Sequence, residues 1–499
     1  MNNTPTPGGV TTDVSPVSSQ PPGELLPRVL RGSFWMLNSN LFARVLNLAR
    51  GVILARLLVP DDFGLFGLAS VVIGFTAMFS DVGAGLFLVY SQDRVEEHVD
   101  TAFWANLGIA TLLAGGVLAT APLVARVYHR RDLIPVLAVM ALALWIQTAA
   151  TVHRSLIRRE LRFRALAIAD SALILVSFLA GVALAWRGYG VWAFVLATLL
   201  GNAINALVLA YAYAWLPRWR FSAISFWALL PFSGWYMAQA IAWYLVFNVD
   251  NLMVGKFLGI EALGIYGLAY NYSLIPVMLI ANSLGNVVNA ELPRLISDPP
   301  KFWSAFFMSS RILSGLACPI AAAIVVAAPD VFPILFGPKW LSAIVPFQIL
   351  AVYGALRCIW MDPFACSGNF QPAFWLASGT LLTGAVGIYL ALPYGKNGVA
   401  VAVLIIVGAA HVSTLLIASR SLRIWLRGLR NAAPYFLAAA AATVLAEVAR
   451  REFAFAVSGR RELLALVSLT TLFVIYGAVF YNEMRDYFTA WRTKRVVAE

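Results

Sequence analysis

The chain has 499 residues, 61 % of them hydrophobic and 12 % charged, with a mean hydropathy of +0.79. Soluble domains are about half apolar and about a quarter charged, so a soluble enzyme is excluded and a polytopic membrane protein is indicated. The net charge of +12 sits mostly in short loops between apolar runs, where basic residues set orientation; it does not indicate nucleic-acid binding.

Residues 1–27 open on a stretch rich in Pro, Ser, Thr and Gly and read as a disordered cytoplasmic tail. The first apolar run, 33–57, carries arginines inside a segment long enough to cross a bilayer, and a guanidinium at that depth is costly unless it faces a polar interior. At about 100° per residue, Ser39, Asn40, Arg44, Asn47, Arg50 and Gly51 fall in one sector roughly 140° wide. Leu41, Phe42, Val45 and Leu48 fall opposite. Arg44 and Arg50 stand about 120° and about 9 Å apart, flanking one wall, which suits a ligand with several anionic oxygens. The alternative for either arginine is a snorkel to the interface.

Further spans are expected at 64–89, 102–125, 132–152, 166–186, 190–215, 228–249, 264–290, 303–328, 341–362, 370–392, 397–419, 433–449 and 463–482, fourteen in all. The eighth is long enough to imply tilt or a break near Pro276. With the N-terminus inside, twenty Lys and Arg fall in inner segments and twelve in outer ones, so both termini are expected in the cytoplasm.

A shift of 200 residues lays Arg56–Ala69 on Lys256–Ala269, matching Leu58, Gly64, Gly67, Leu68 and Ala69 identically. The expected fold is all-α, with two pseudo-symmetric six-helix lobes, 28–220 and 221–425. Two added helices and a cytoplasmic tail follow in 426–499. In the second copy Tyr244 and Asp250 occupy the places of Arg44 and Arg50, so the cationic lining belongs to the first lobe.

Asp250, beside Asn248 and Asn251, is either a site for a coupling proton or sodium ion or an interfacial acid near an outer helix end. Trp243, Tyr244, Asn282 and Asn286 offer aromatic faces and amides suited to sugar rings, and amides also join helices. Arg311 and Arg357 lie in the cytoplasmic halves of spans 9 and 10, as cavity lining or as snorkels. The arginines of His153–Arg164 anchor the inner surface and bind anionic lipid headgroups, and Asp170 and Asp81 are available to pair with them. Cys318, Cys358 and Cys366 lack metal-ligand spacing and read as free thiols; no metal, cofactor or catalytic constellation is expected.

The stretches ARLLVPDDFGLFGLA, FSDVGAG, RSLIRRELRFRALAIAD and LFGPKW resemble the Wzx-type polysaccharide-repeat flippases, O-antigen and exopolysaccharide transporters of bacterial inner membranes. These share the multidrug/oligosaccharidyl-lipid/polysaccharide exporter superfamily with lipid II flippases and MATE exporters. FARVLNLARGVILAR is similar to the first helix of lipid II flippases, in which Arg44 and Arg50 match two arginines, while Ala43, Asn47 and Gly51 depart from the pattern. The resemblance implies movement of an undecaprenyl-pyrophosphate-linked oligosaccharide repeat to the periplasmic leaflet by alternating access, alongside a polysaccharide polymerase and export machinery. An ion-coupled exporter of organic cations on the same fold is the competing reading; it needs acids where this chain has arginines. An enzyme needs catalytic groups on sizeable extramembrane loops, and these loops are short.

Overall fold

A computed structural model of the protein describes residues 22–80, 95–220, 222, 234–359, 363–366, 368–419, 422–456, 469–474 and 476–477. Among these the chain is helical apart from short connections. The first half contains α1 (Pro22–Leu57), α2 (Pro60–Ala77), α3 (Val95–Val127), α4 (Leu133–Ala149), α5 (Thr151–Arg159), α6 (Phe163–Trp186) and α7 (Trp192–Ala212). The second contains α8 (Gly234–Val246), α9 (Val249–Met253), a π-helical turn (Val254–Leu258), α10 (Ile260–Glu291), α11 (Pro299–Phe336), α12 (Ile344–Ile359), α13 (Pro363–Cys366), α14 (Phe370–Ala391), α15 (Gly395–Ser419) and α16 (Leu422–Ala456). Eight segments of the described residues are long and apolar enough to cross a membrane.

The repeated motif packs on itself. Pro60, which lacks an N–H to lose, starts α2, and Asp61 and Asp62 occupy its first turn. Two hundred residues on, Gly259 at φ 95° ends the π turn and lets α10 begin. A Cβ on Gly64 would overlap the backbone oxygen of Ile260, and one on Gly264 would overlap the backbone oxygen of Pro60. Positions 60 and 260 are themselves repeat partners, so α2 and α10 cross reciprocally, backbone against backbone. Leu65, Leu68 and Ala69 meet Leu263, Leu268 and Ala269 in one buried core.

Equivalent cations tie the helix ends beside the starts of α2 and α10 to neighbouring helices. Arg56 donates from Nε to Leu335 O at 2.9 Å, and also to Ile334 O. Its repeat partner Lys256 donates to Val127 O. Both satisfy carbonyls at the C-terminal ends of long helices, α11 and α3. Trp340 Nε1 adds a bond of 2.8 Å to Ala55 O. Tyr128 donates to Leu252 O at 3.2 Å, and burial pushes its phenol up to about 12, so it stays a donor. Arg130 forks onto Asp61 at 2.6 and 2.7 Å, and these bonds raise its already high proton affinity.

Of the tilt or break expected near Pro276, the break needs correcting. α10 runs unbroken through Pro276. The interruption lies instead earlier in the chain, where α8 stops at Val246 and α9 restarts at Val249. The helical path then continues to Leu258, and Asp250 on it is 2 % exposed. Phe247 O, freed by the interruption, accepts from Tyr270 Oη at 3.4 Å. Arg154 holds Asp170 at 2.6 Å and reaches Asn205 at 3.1 Å. Asp81 lies outside the described residues; Cys318 and Cys358 are free and buried.

Candidate functional site

The first helix presents the two faces that its sequence implies. Leu41, Phe42, Val45 and Leu48 are exposed on the outer surface. On the other side Asn47, Arg50 and Gly51 line a cavity of about 480 Å³. α2 contributes Phe63, Phe66, Gly67 and Ser70, and α7 contributes Phe194, whose ring stacks on Phe66 at 4.7 Å. The facing wall comes from the second half: Asn248 and Asn251 around α9, and Tyr270, Asn271 and Tyr272 of α10. Among the described residues the lining contains one guanidinium and no carboxylate. Tyr272 Oη seats so closely on Gly51 that a Cβ there would overlap it, which brings the phenol beside Arg50 at the seam of α1 and α10.

Behind that facing wall is a buried polar cluster. Asp250 accepts from Tyr266 Oη at 2.7 Å, from Asn251 N at 2.8 Å and from Asn251 Nδ2 at 3.3 Å. Arg357 donates to Tyr270 Oη at 3.0 Å and Tyr353 Oη at 3.4 Å, with its guanidinium 3.7 Å from the centre of the Phe247 ring. The two tyrosine hydroxyls are 3.1 Å apart. Phenols and a ring face thus satisfy a cation deep in the protein.

The predicted residues separate into groups. Arg50 and Asn47 are in the wall, and Asp250 and Arg357 back it. Arg44, half-buried, and Asn40, exposed, precede the wall on the same helix and are not in its lining. Ser39 turns from that sector to α6, bonding Ala167 O and Ser171 at 3.1 Å. Tyr244 donates across the halves to Val71 O at 2.7 Å, and Trp243 stacks on Phe247. Neither is in the lining. Arg311 is directed to Tyr435 of α16 at 2.9 Å and ties that helix down, away from the cavity. The side chains of Asn282 and Asn286 lie outside the described residues. Sequence reasoning missed Phe63, Phe66, Phe194, Asn271 and Tyr272. The polar triplet Asn271-Tyr272-Ser273 inside an apolar run is the signal that marks two of them.

Residues 53–345 match the family described as polysaccharide biosynthesis protein. The chain is 25 % identical over 341 residues to the lipopolysaccharide biosynthesis protein WzxC of Escherichia coli (strain K12), covering 67 % of this chain and 68 % of that one. It is 28 % identical over 340 residues to the succinoglycan biosynthesis transport protein ExoT of Rhizobium meliloti (strain 1021), covering 67 % and 69 %. Among solved structures, the lipid II flippase MurJ in an inward closed conformation superposes with a TM-score of 0.67 at 15 % identity, over 90 % of this chain and 99 % of that one. An inward-facing MATE family multidrug transporter superposes at 0.59 and 16 %, over 77 % and 94 %. The chain belongs to the polysaccharide biosynthesis protein family and has the membrane-helical fold of the lipid II flippase and MATE transporters.

Proposed function

We propose that this protein is a flippase that carries an undecaprenyl-pyrophosphate-linked oligosaccharide repeat from the cytoplasmic to the periplasmic leaflet of a bacterial inner membrane. The observation that carries the reading is a cavity between the chain's two halves with Arg50 in its wall and, among the described lining residues, no acid. A guanidinium fork binds phosphate oxygens, amides and aromatic faces suit sugar rings, and the isoprenoid tail remains in lipid. An exporter of organic cations needs the opposite charge in that wall.

The reading has fourteen spans, two six-helix lobes, both termini in the cytoplasm, and alternating access about the α2–α10 crossing. In the present state the outer ends are tied by Arg56, Lys256 and Trp340. Arg44 receives the headgroup on the cytoplasmic side of Arg50. Asp250 is the titratable group coupled to the cargo: both its oxygens are filled by hydrogen-bond donors, an arrangement that suits a proton better than a sodium ion, which requires several oxygen ligands.

Complementation of a strain lacking its own repeat-unit flippase tests this. Arg50→Ala should lower surface polymer more than tenfold at unchanged membrane abundance, Arg44→Ala should do so as well, and Arg50→Lys should retain part. Accumulated lipid-linked repeats should appear in the failing strains. Full export by Arg50→Ala would refute the site.

A further inference from the structure

We infer that cargo binding and protonation of Asp250 support one another, so that a proton is taken up with the anion instead of being released in exchange, and that Asn251 is the positioning residue between them. This rests on the reading that the cavity receives a diphosphate.

Asn251 belongs to both places: it lines the cavity, and its Nδ2 and backbone N–H both donate to Asp250 Oδ1. The Nδ2 bond, at 3.3 Å, is the longest of the three holding the carboxylate. A phosphate oxygen in the cavity is a stronger acceptor for the same N–H. When the amide turns to it, Oδ1 loses a donor and the Asn251 carbonyl oxygen swings into its place. A hydronium ion of the aqueous phase gives its proton to Asp250 Oδ1, its own O–H bond breaking as the new one forms, and the new O–H donates to that carbonyl oxygen. One O–H bond forms, and no polar group is left without a partner.

Charge acts in the same direction. Arg50 in the opposite wall, Asp250 and Arg357 sum to +1 when the cavity is empty. A diphosphate brings at least two negative charges and reverses the sign, and a low-dielectric interior favours return toward neutrality. The other titratable groups facing Asp250 are Tyr266 and Tyr270 of α10 and Tyr353 of α12. α2 and α14 also pack on α9. α14 has no charged side chain, and the acids of α2 are confined to its outer first turn.

The test uses the full chain in lipid nanodiscs, weakly buffered near pH 7 with an indicator dye, titrated with farnesyl diphosphate; inorganic pyrophosphate is the arm without a tail. Proton uptake per bound probe, corrected for the probe's own ionisation, should approach one for the wild type. It should be absent per bound probe in Asp250→Asn and clearly reduced in Asn251→Ala, a variant that empties no packed core. Probe affinity should tighten up to tenfold per unit fall in pH while Asp250 titrates. Net release, no change on binding, or wild-type uptake by Asp250→Asn overturns the inference. Failure of the wild type to bind the probe, or binding indifferent to Arg50→Ala, overturns the diphosphate reading instead.

Discussion

The α2–α10 crossing allows a perturbation whose size follows from geometry. In Gly64→Ala the new methyl group overlaps the backbone oxygen of Ile260, and in Gly264→Ala it overlaps that of Pro60. Neither obstacle is a side chain that can rotate away, so the helices must separate. Overpacking a filled site costs about 1–3 kcal/mol, and a backbone obstacle belongs in the upper half of that range. A bias of about 2–3 kcal/mol moves a two-state equilibrium by roughly 30–150-fold, here toward parted ends of α1 and α11. Spin labels at Leu57→Cys and Ile334→Cys report it, because both positions are exposed and flank the bonds from Arg56 to the end of α11. The parent should give one short distance, and each alanine variant a second, longer population. The double variant should add less than the sum, because both methyl groups act on one contact. An unchanged distance distribution together with an unchanged melting temperature in both single variants would refute the reasoning.

Tyr244→Phe deletes the bond to Val71 O and leaves that carbonyl without its cross-half donor. Melting should fall by the equivalent of about 0.5–1.5 kcal/mol, measured on detergent-solubilised protein. Asp62 is half-buried in the first turn of α2, and burial raises its proton affinity above that of an ordinary carboxyl. Folding therefore favours its protonated form, so stability from this group should rise as pH falls through the acid range. Asp62→Asn should raise the melting temperature at pH 7.5, with the gain shrinking toward pH 4. Tyr435→Phe removes the acceptor of the Arg311 Nε bond, and limited proteolysis should cut α16 sooner while Arg50-dependent probe binding persists.

Much of this was readable before any fold was known, for physical reasons. A guanidinium in an apolar run must find polar company, which fixed the inward side of α1 from Arg50. Leu41 at 63 % and Val45 at 57 % exposure occupy the opposite side. Glycines recurring at a fixed shift marked the repeat, but the crossing of its two copies, where missing side chains let two backbones approach, emerged only from the fold. Other features left no local trace. The interruption at Phe247 and Asn248 involves neither Pro nor Gly, whereas Pro276, the residue type that signals a break, is accommodated within α10. The direction of Arg311 depends on where α16 docks, and no periodicity in α11 encodes that.

Arg50 precedes the end of its helix at Leu57 by seven residues, and Asp250 precedes Leu258 by eight. Arg50 in one wall and Asp250 behind the facing one thus set opposite charges on the two sides of the hollow. A voltage drop does little work on a pair at one depth, whereas each elementary charge that crosses the whole layer gains or loses about 2.3 kcal/mol per 100 mV. With Arg357 behind the same wall the resident charges sum to +1 in the empty hollow, and the membrane potential acts chiefly on what passes through it.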